Sequence, residues 1–143
     1  MFNGRTLLIA MLLMCACIGP AKPVVPPGPV IKVGQTESFG AVLVAENGMT
    51  LYMYDRDADG VSVCYDECAQ LWPPLLSEGA PVAATGVQAD LLGTTRRNDG
   101  KLQVTYNKMP LYFWIRDRKL GDVTGQRVAY IWFVVTPEGN VVH

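Results

Sequence analysis

The chain contains one segment twice. Residues 40–75, laid without a gap over residues 100–135, are identical at eleven of 36 positions, among them Asn47/Asn107, Leu51/Leu111, Tyr52/Tyr112, Asp57/Asp117 and Trp72/Trp132. Chance supplies about two such identities, so the chain carries a duplicated structural unit. The offset of 60 residues is constant, so the two copies are expected to share one fold. A duplication also acts as a filter. What both copies keep belongs to the common framework, and what one copy alone carries is a candidate for chemistry.

The segment before the duplication reads as an address. Arg5 opens a short positive region, and residues 7–14 are apolar over a length too short to span a bilayer. A signal peptide is therefore expected over residues 1–16. The run ends Leu13-Met14-Cys15-Ala16-Cys17, which resembles the lipobox of bacterial lipoproteins and points to Cys17 as the lipidated first residue of the mature chain. Cys15 is the lesser candidate because bulky Met14 precedes it, and an ordinary cleaved signal peptide is the alternative. Residues 17–35 then hold five prolines, which deny helix and central strand and leave a semi-rigid extended tether of about 3 Å per residue. The implied partner is a membrane, reached through the lipid. Ile18 rather than Asp after the cysteine favours the outer membrane, with the domain facing periplasm or cell surface.

The chain after residue 16 is about 125 residues long and has room for one domain, over 36–143. Eleven basic residues against thirteen acidic ones give a net charge near −2, with no basic patch for nucleic acid. The single histidine, His143, is the last residue, which removes most Ser-His-Asp, Cys-His and multi-histidine metal schemes. Ser62, Thr94 and Thr95 have no base beside them in the sequence.

Each copy opens as a β-hairpin. In the first, residues 41–45 run through Glu46-Asn47-Gly48-Met49 into residues 50–54, and Asn-Gly suits a two-residue type I′ turn. In the second, residues 102–106 run through Asn107-Lys108 into residues 111–115, with Lys108 where the turn favours glycine. Alternation puts Leu51, Met53, Leu111, Phe113 and Ile115 on one face and Tyr52, Tyr54, Tyr112 and Trp114 on the other, so these strands are interior. A short helix or turn is expected around 64–72, stopped by Pro73-Pro74, and a strand over 130–135. The predicted fold is mainly β. Repeat one (39–76) and repeat two (99–136) form a pseudo-twofold β-sandwich or small barrel.

Tyr52-x-Tyr54-x-x-Asp57 and Tyr112-x-Trp114-x-x-Asp117 resemble the motif of a family of bacterial lipoproteins that carry a secreted repeat of unknown function. Further matching residues are Ser62-x-Cys64-x-x-x-Cys68-Ala69-x-x-Trp72-Pro73-Pro74-Leu75, Arg97-x-Asp99-Gly100-x-x-Gln103-Val104-Thr105-Tyr106, Pro110-Leu111-Tyr112 and Gly121-Asp122-x-x-Gly125. The resemblance covers about residues 38–138, departs at Val61 where the family usually has lysine, and implies an envelope location and fold class without an activity.

Three features stand as site candidates. Cys64 and Cys68 occur in the first copy only, opposite Thr124 and Val128. They are either a structural disulfide or a redox or soft-metal site for copper or iron, with His143, Met49, Met53 or Met109 as a further ligand. Asp55, Asp57 and Asp59, followed by Gly60 and Asp66, resemble half of a calcium loop; the alternative is a solvated turn in which Asp57 and Asp117 bond backbone N–H groups. Tyr52, Tyr54, Tyr112 and Trp114, with Trp72 and Trp132, form either an exposed binding groove or a core. Two functional expectations follow: a non-catalytic envelope lipoprotein that binds an envelope protein or scaffolds an assembly, or an accessory in periplasmic electron transfer or metal handling that uses Cys64 and Cys68.

Overall fold

The computed structural model describes Met1, Gly19 and residues 21–143; the signal-like run, Cys15 and Cys17 lie outside the described residues. Among the described residues no helix is long and apolar enough to cross a membrane. The elements run β1 (Val30–Thr36), β2 (Gly40–Ala45), β3 (Tyr52–Tyr54), α1 (Glu67–Leu71), β4 (Leu76–Ser77) and β5 (Val82–Ala83), then β6 (Leu92–Arg96), β7 (Leu102–Tyr106), β8 (Met109–Pro110) and β9 (Trp132–Val134). The fold is mainly β and built from several short sheets, with no closed barrel. One sheet is ordered β2-β1-β5, a second pairs β3 with β9, and in the third β7 lies between β6 on one side and β4 and β8 on the other. Helix α1 occupies the predicted place and stops before Pro73-Pro74.

The last residues of the segment expected to be an extended tether are strand instead. Residues 30–36 form β1, which is the middle strand of its sheet, antiparallel to β2 with Val33 opposite Leu43 and parallel to β5 with Val30 opposite Val82. All five prolines of the segment lie at or before Pro29, so every N–H of β1 is free to join a ladder. The end of the proline-rich stretch is itself docked: Gly28 N–H donates to Ala80 O at 2.9 Å, and Val82 N–H to Pro29 O at 3.0 Å.

The duplication becomes a rotation. Tyr52 N–H donates to Tyr112 O, and Tyr112 N–H donates back to Tyr52 O, both at 2.9 Å. A residue that pairs antiparallel with its own counterpart lies on a twofold axis. Around that axis the predicted alternation holds, and it fills two cores. Leu51, Met53, Leu111 and Phe113 pack in one with Leu43, Val104 and Phe133; Tyr52, Tyr54, Tyr112 and Trp114 pack in the other with Trp72, Trp132 and Cys64. Ile115 instead lies exposed, at 50%.

The two hairpin turns reverse the expectation. Ala45 donates to Met49 O and accepts from Gly48, leaving a three-residue loop in which only Gly48 has positive φ (80°). That is a type I turn closed by a left-handed residue, not a two-residue I′ turn. The two-residue turn with positive φ throughout is in the second copy, at Asn107 (46°) and Lys108 (63°), between paired Tyr106 and Met109. The extra loop residue shifts the first strand by one: Leu51 N–H donates to Leu43 O, whereas Leu111 N–H donates to Val104 O. Leu43 is therefore the structural counterpart of Val104, and the identity of Val44 with Val104 is not a structural equivalence. A one-residue slip exchanges the two faces, and the packing of Leu43 and Ala45 beside Val104 and Tyr106 follows that slip.

Opposite responses to glycine are expected at the two turns. Gly48→Ala places a side chain at φ 80° and lowers stability by about 1–2 kcal/mol; Lys108→Gly relieves the same kind of strain and raises stability by a fraction of that. Urea midpoints of the two variants check the pair.

Candidate functional site

Each repeat locks the other. The Tyr52 hydroxyl donates to Asp117 Oδ2 at 2.6 Å, and the Tyr112 hydroxyl donates to Asp57 Oδ2 at 2.7 Å. The tyrosine of one motif thus binds the aspartate of the other. The second oxygens close the local turns: Asp57 Oδ1 accepts from Val63 N–H at 2.8 Å, and Asp117 Oδ1 accepts from the N–H and hydroxyl of Thr124 at 3.0 and 2.6 Å. Gly125 N–H donates to the Tyr52 oxygen at 3.2 Å. A Cβ on Gly125 would sit 2.8–2.9 Å from the Tyr52 and Trp72 rings, so only glycine fits there.

A buried cation backs the Asp57 side of the lock only. Arg97 is 4% exposed; its Nη1 donates to Ser62 Oγ at 2.8 Å and to Gln103 Oε1 at 2.7 Å, and its Nη2 to Cys64 O at 2.7 Å. Ser62 Oγ lies 2.7 Å from the Tyr112 oxygen. Arginine can only donate and Tyr112 already donates to Asp57, so Ser62 donates to Tyr112. One directed chain therefore runs from the Arg97 guanidinium through Ser62 and Tyr112 to the Asp57 carboxylate, and each bond polarises the next. The guanidinium also lies 4.3 Å from the centre of the Tyr65 ring, whose hydroxyl accepts from Asn98 N–H. Asp99, 3.9 Å from Arg97 Nε and largely in solvent, adds little.

Burial raises the Asp57 pKa above its ordinary 3.8, and the hydrogen bonds from Tyr112 and Val63 and the charge of Arg97 offset only part of that rise. Asp57 charge burial thus costs stability as the pH climbs through the acid range. Burial, together with the neighbouring carboxylates, also raises the phenols of Tyr52 and Tyr112 above their ordinary 10.0.

Beside this lock, four rings stack. Trp114 lies on Trp72 with centroids 4.1 Å apart and planes at 26°, Trp72 on Trp132 at 3.8 Å and 3°, and Trp132 on Tyr54 at 4.2 Å and 14°. Trp114 is the counterpart of Tyr54 and Trp72 of Trp132, so the twofold axis passes through the middle of the stack. Tyr52 meets Trp72 edge-on at 5.4 Å, and Tyr112 meets Trp132 edge-on at 5.2 Å. The aromatic residues of the motif are core, not an open groove; all are buried except Tyr54, which is partly exposed.

Cys64 and Cys68 form a disulfide, with Cα atoms 5.3 Å apart, and Cys64 is wholly buried. A loop this short contributes about 2 kcal/mol in the chain-entropy model. In the second copy the matching span, 124–128, is tied by Thr124 to Asp117; Arg127 within it and Ala129 and Tyr130 just beyond it are left-handed, with φ 61°, 49° and 57°.

The calcium and soft-metal arrangements are not assembled. Asp57 turns inward to Tyr112 and Val63, while Asp55, Asp59 and Asp66 are exposed. Asp59 and Gly60 are the two positive-φ residues of a tight turn closed by Val61 N–H to Ala58 O. The alternative reading of Asp57 and Asp117 as acceptors of turn N–H groups therefore describes what is present. Among the described residues no three His, Cys, Asp or Glu side chains gather as a metal would need. The cysteine sulfurs are bonded to each other, Met53 and Met109 pack in the opposite core from Cys64, and His143 meets Phe133 edge-on at 4.8 Å. A cleft of about 660 Å³ at the β4–β7 edge, lined by Leu76, Glu78, Arg96 and Lys101, holds none of the motif residues.

Sequence reasoning passed over Arg97, Ser62, Gln103 and Thr124 as site residues. All but Thr124 stood in the family pattern, and nothing local marks a buried arginine. The geometry defines a duplicated, mainly β domain whose motif residues join the copies. A family model described as a secreted repeat of unknown function matches residues 35–76 and again 93–136, and the chain belongs to that family. Comparison with curated proteins and with solved structures gives no significant match.

Removing the two hydroxyls should be unequal. Tyr112→Phe is expected to cost about 2–3 kcal/mol and Tyr52→Phe less, because Asp117 keeps both Thr124 donors while Asp57 keeps only the Val63 N–H; chemical denaturation of both variants decides. In alkali, the stability that comes from holding Tyr52 and Tyr112 protonated is whole below pH 10 and is lost as pH rises above it. Their phenolate absorbance should therefore appear together with the loss of near-ultraviolet circular dichroism, not before it.

Proposed function

We propose that this is a non-catalytic module of the bacterial cell envelope, anchored through a lipid on Cys17 and held off the membrane by residues 18–27, that binds an envelope protein. The observation that carries this reading is that the motif side chains satisfy one another: the hydroxyls of Tyr52 and Tyr112, the carboxylates of Asp57 and Asp117 and the faces of Trp72 and Trp132 all meet partners within the chain. The motif supports a rigid frame, and the business of the protein falls to its surface. Leu71, Ile115 and Tyr130 are 46%, 50% and 80% exposed on segments leading into or out of the stack, and these are the contact points we assign to the partner. Leu71 O accepts from Ile115 N–H, so those two lie side by side.

Two measurements in the native bacterium test this. Mass spectrometry of the mature protein should find acyl chains on Cys17, lost in Cys17→Ser; an unmodified N-terminus would reject the anchor. Photo-crosslinking residues placed at 71, 115 and 130 should give one discrete adduct that is absent from a residue placed at 94; no adduct at any of the three would reject the partner face.

A further inference from the structure

We propose that the stack Trp114–Trp72–Trp132–Tyr54 conducts an electron hole through the domain, from a small one-electron oxidant at the Trp114 end to the phenol of Tyr54. Aromatic rings packed only for burial favour offset and edge-on contacts. Edge-on contacts are present here as Tyr52–Trp72 and Tyr112–Trp132. Stacked pairs are also found in cores; what sets this stack apart is its continuity, three contacts in one unbroken row with centroids 4.1, 3.8 and 4.2 Å apart and planes at 26°, 3° and 14°. Tyr52 and Tyr112 touch it only by their edges, where π overlap is poor.

Protons and charges give the stack a direction. Trp114 Nε1 is buried and has no hydrogen-bond acceptor, so an indole oxidised there cannot hand its proton on, and the charge stays mobile. The Arg116 guanidinium lies 5.6 Å from the centre of the Trp114 ring and disfavours positive charge at that end. Arg118 and Lys119 follow it on the surface. At the other end Tyr54 lines a pocket of about 250 Å³ with Asp57 and Asp59, facing one opposing cation, Lys108. The loop after Tyr54 carries Asp55, Asp57 and Asp59 with Arg56, and the loop after Trp114 carries Arg116, Arg118 and Lys119 with Asp117, a reversal of net charge between the two copies. Under this reading that difference is what makes a symmetric stack one-way.

The step balances as follows. An oxidising radical X• accepts one electron from the stack and becomes X⁻; the hole moves from ring to ring; the Tyr54 O–H bond breaks, its proton passes to water in the pocket, and a neutral phenoxyl remains. The net change is X• plus Tyr54–OH to X⁻, Tyr54–O• and H⁺. A thiol R–SH restores the resting state by giving Tyr54–O• one electron and its own proton, which yields Tyr54–OH and a thiyl radical R–S•.

Pulse radiolysis of the full-length protein with the azide radical, which oxidises indoles in preference to phenols, tests this. The expected record is an indolyl absorption that decays at a rate independent of protein concentration while a phenoxyl absorption grows in step. Tyr54→Phe keeps the ring in the stack and should abolish that growth, leaving the indolyl signal long-lived. Tyr130→Phe should change neither, and Arg116→Glu should slow the transfer. Phenoxyl growth that survives Tyr54→Phe would place the terminus at another tyrosine, and a concentration-dependent rate would make the transfer intermolecular; either result overturns the proposal. So does loss of the growth in Tyr130→Phe, or an indolyl signal that never decays into phenoxyl in the unaltered protein. An unchanged rate in Arg116→Glu overturns the direction assigned from charge.

Discussion

The exchange of hydrogen bonds between Tyr52 and Asp117 and between Tyr112 and Asp57 is the constraint on which the rest of this structure depends. Neither repeat can satisfy its own motif. Each buried phenol needs an acceptor and each part-buried carboxylate a donor, and both come from a segment about 60 residues away. The backbone bridge between Tyr52 and Tyr112 holds the two phenols back to back, and the stacked tryptophans close over them. The motif is therefore better understood as an interface between halves than as a property of each half. A single copy would leave one oxygen of its aspartate and the hydroxyl of its tyrosine without partners and both faces of its tryptophan bare.

Symmetry sets the frame, and small departures from it do local work. Copy one holds its turn with the Cys64–Cys68 disulfide, and its Asp57 is backed from the second half of the chain by the buried Arg97 guanidinium acting through Ser62 and Tyr112. Copy two has no sulfur at the matching positions; it ties Asp117 with Thr124 and accepts a run of left-handed residues before Trp132. Both solutions present a tryptophan at the same place in the stack. The disulfide is thus one of two ways to brace the same segment, which explains why the common fold does not require it.

Several elements were legible from residues alone, for identifiable reasons. The alternation of Leu51, Tyr52, Met53 and Tyr54 survives because both faces of that strand are covered, whichever neighbour covers them. Helix α1 is legible because two prolines end it. The turns are not legible in the same way, because loop length overrides local preference there. Asn47-Gly48 favours a I′ turn, but the register that buries Leu43 and Ala45 leaves three residues to close the loop, and Lys108 takes positive φ because only two are left to it. The acidic loop misled in a related way. Its spacing suits a cation, yet Asp57 is drawn inward by a tyrosine that sequence places 55 residues off.

By itself the sequence determined the duplication, the mainly β class, the interior strands, the membership of a secreted repeat family and the pair of cysteines that only the first repeat carries. These are properties of pattern and spacing, which one chain carries in full view. Only the tertiary structure decided which carboxylate each tyrosine would meet, that Arg97 would be buried as the head of a hydrogen-bonded chain, and that four aromatic rings would stack across a twofold axis. The physical reason is the axis itself. It joins each residue to a partner in the opposite repeat, so the contacts that hold the domain together run between positions no local pattern connects.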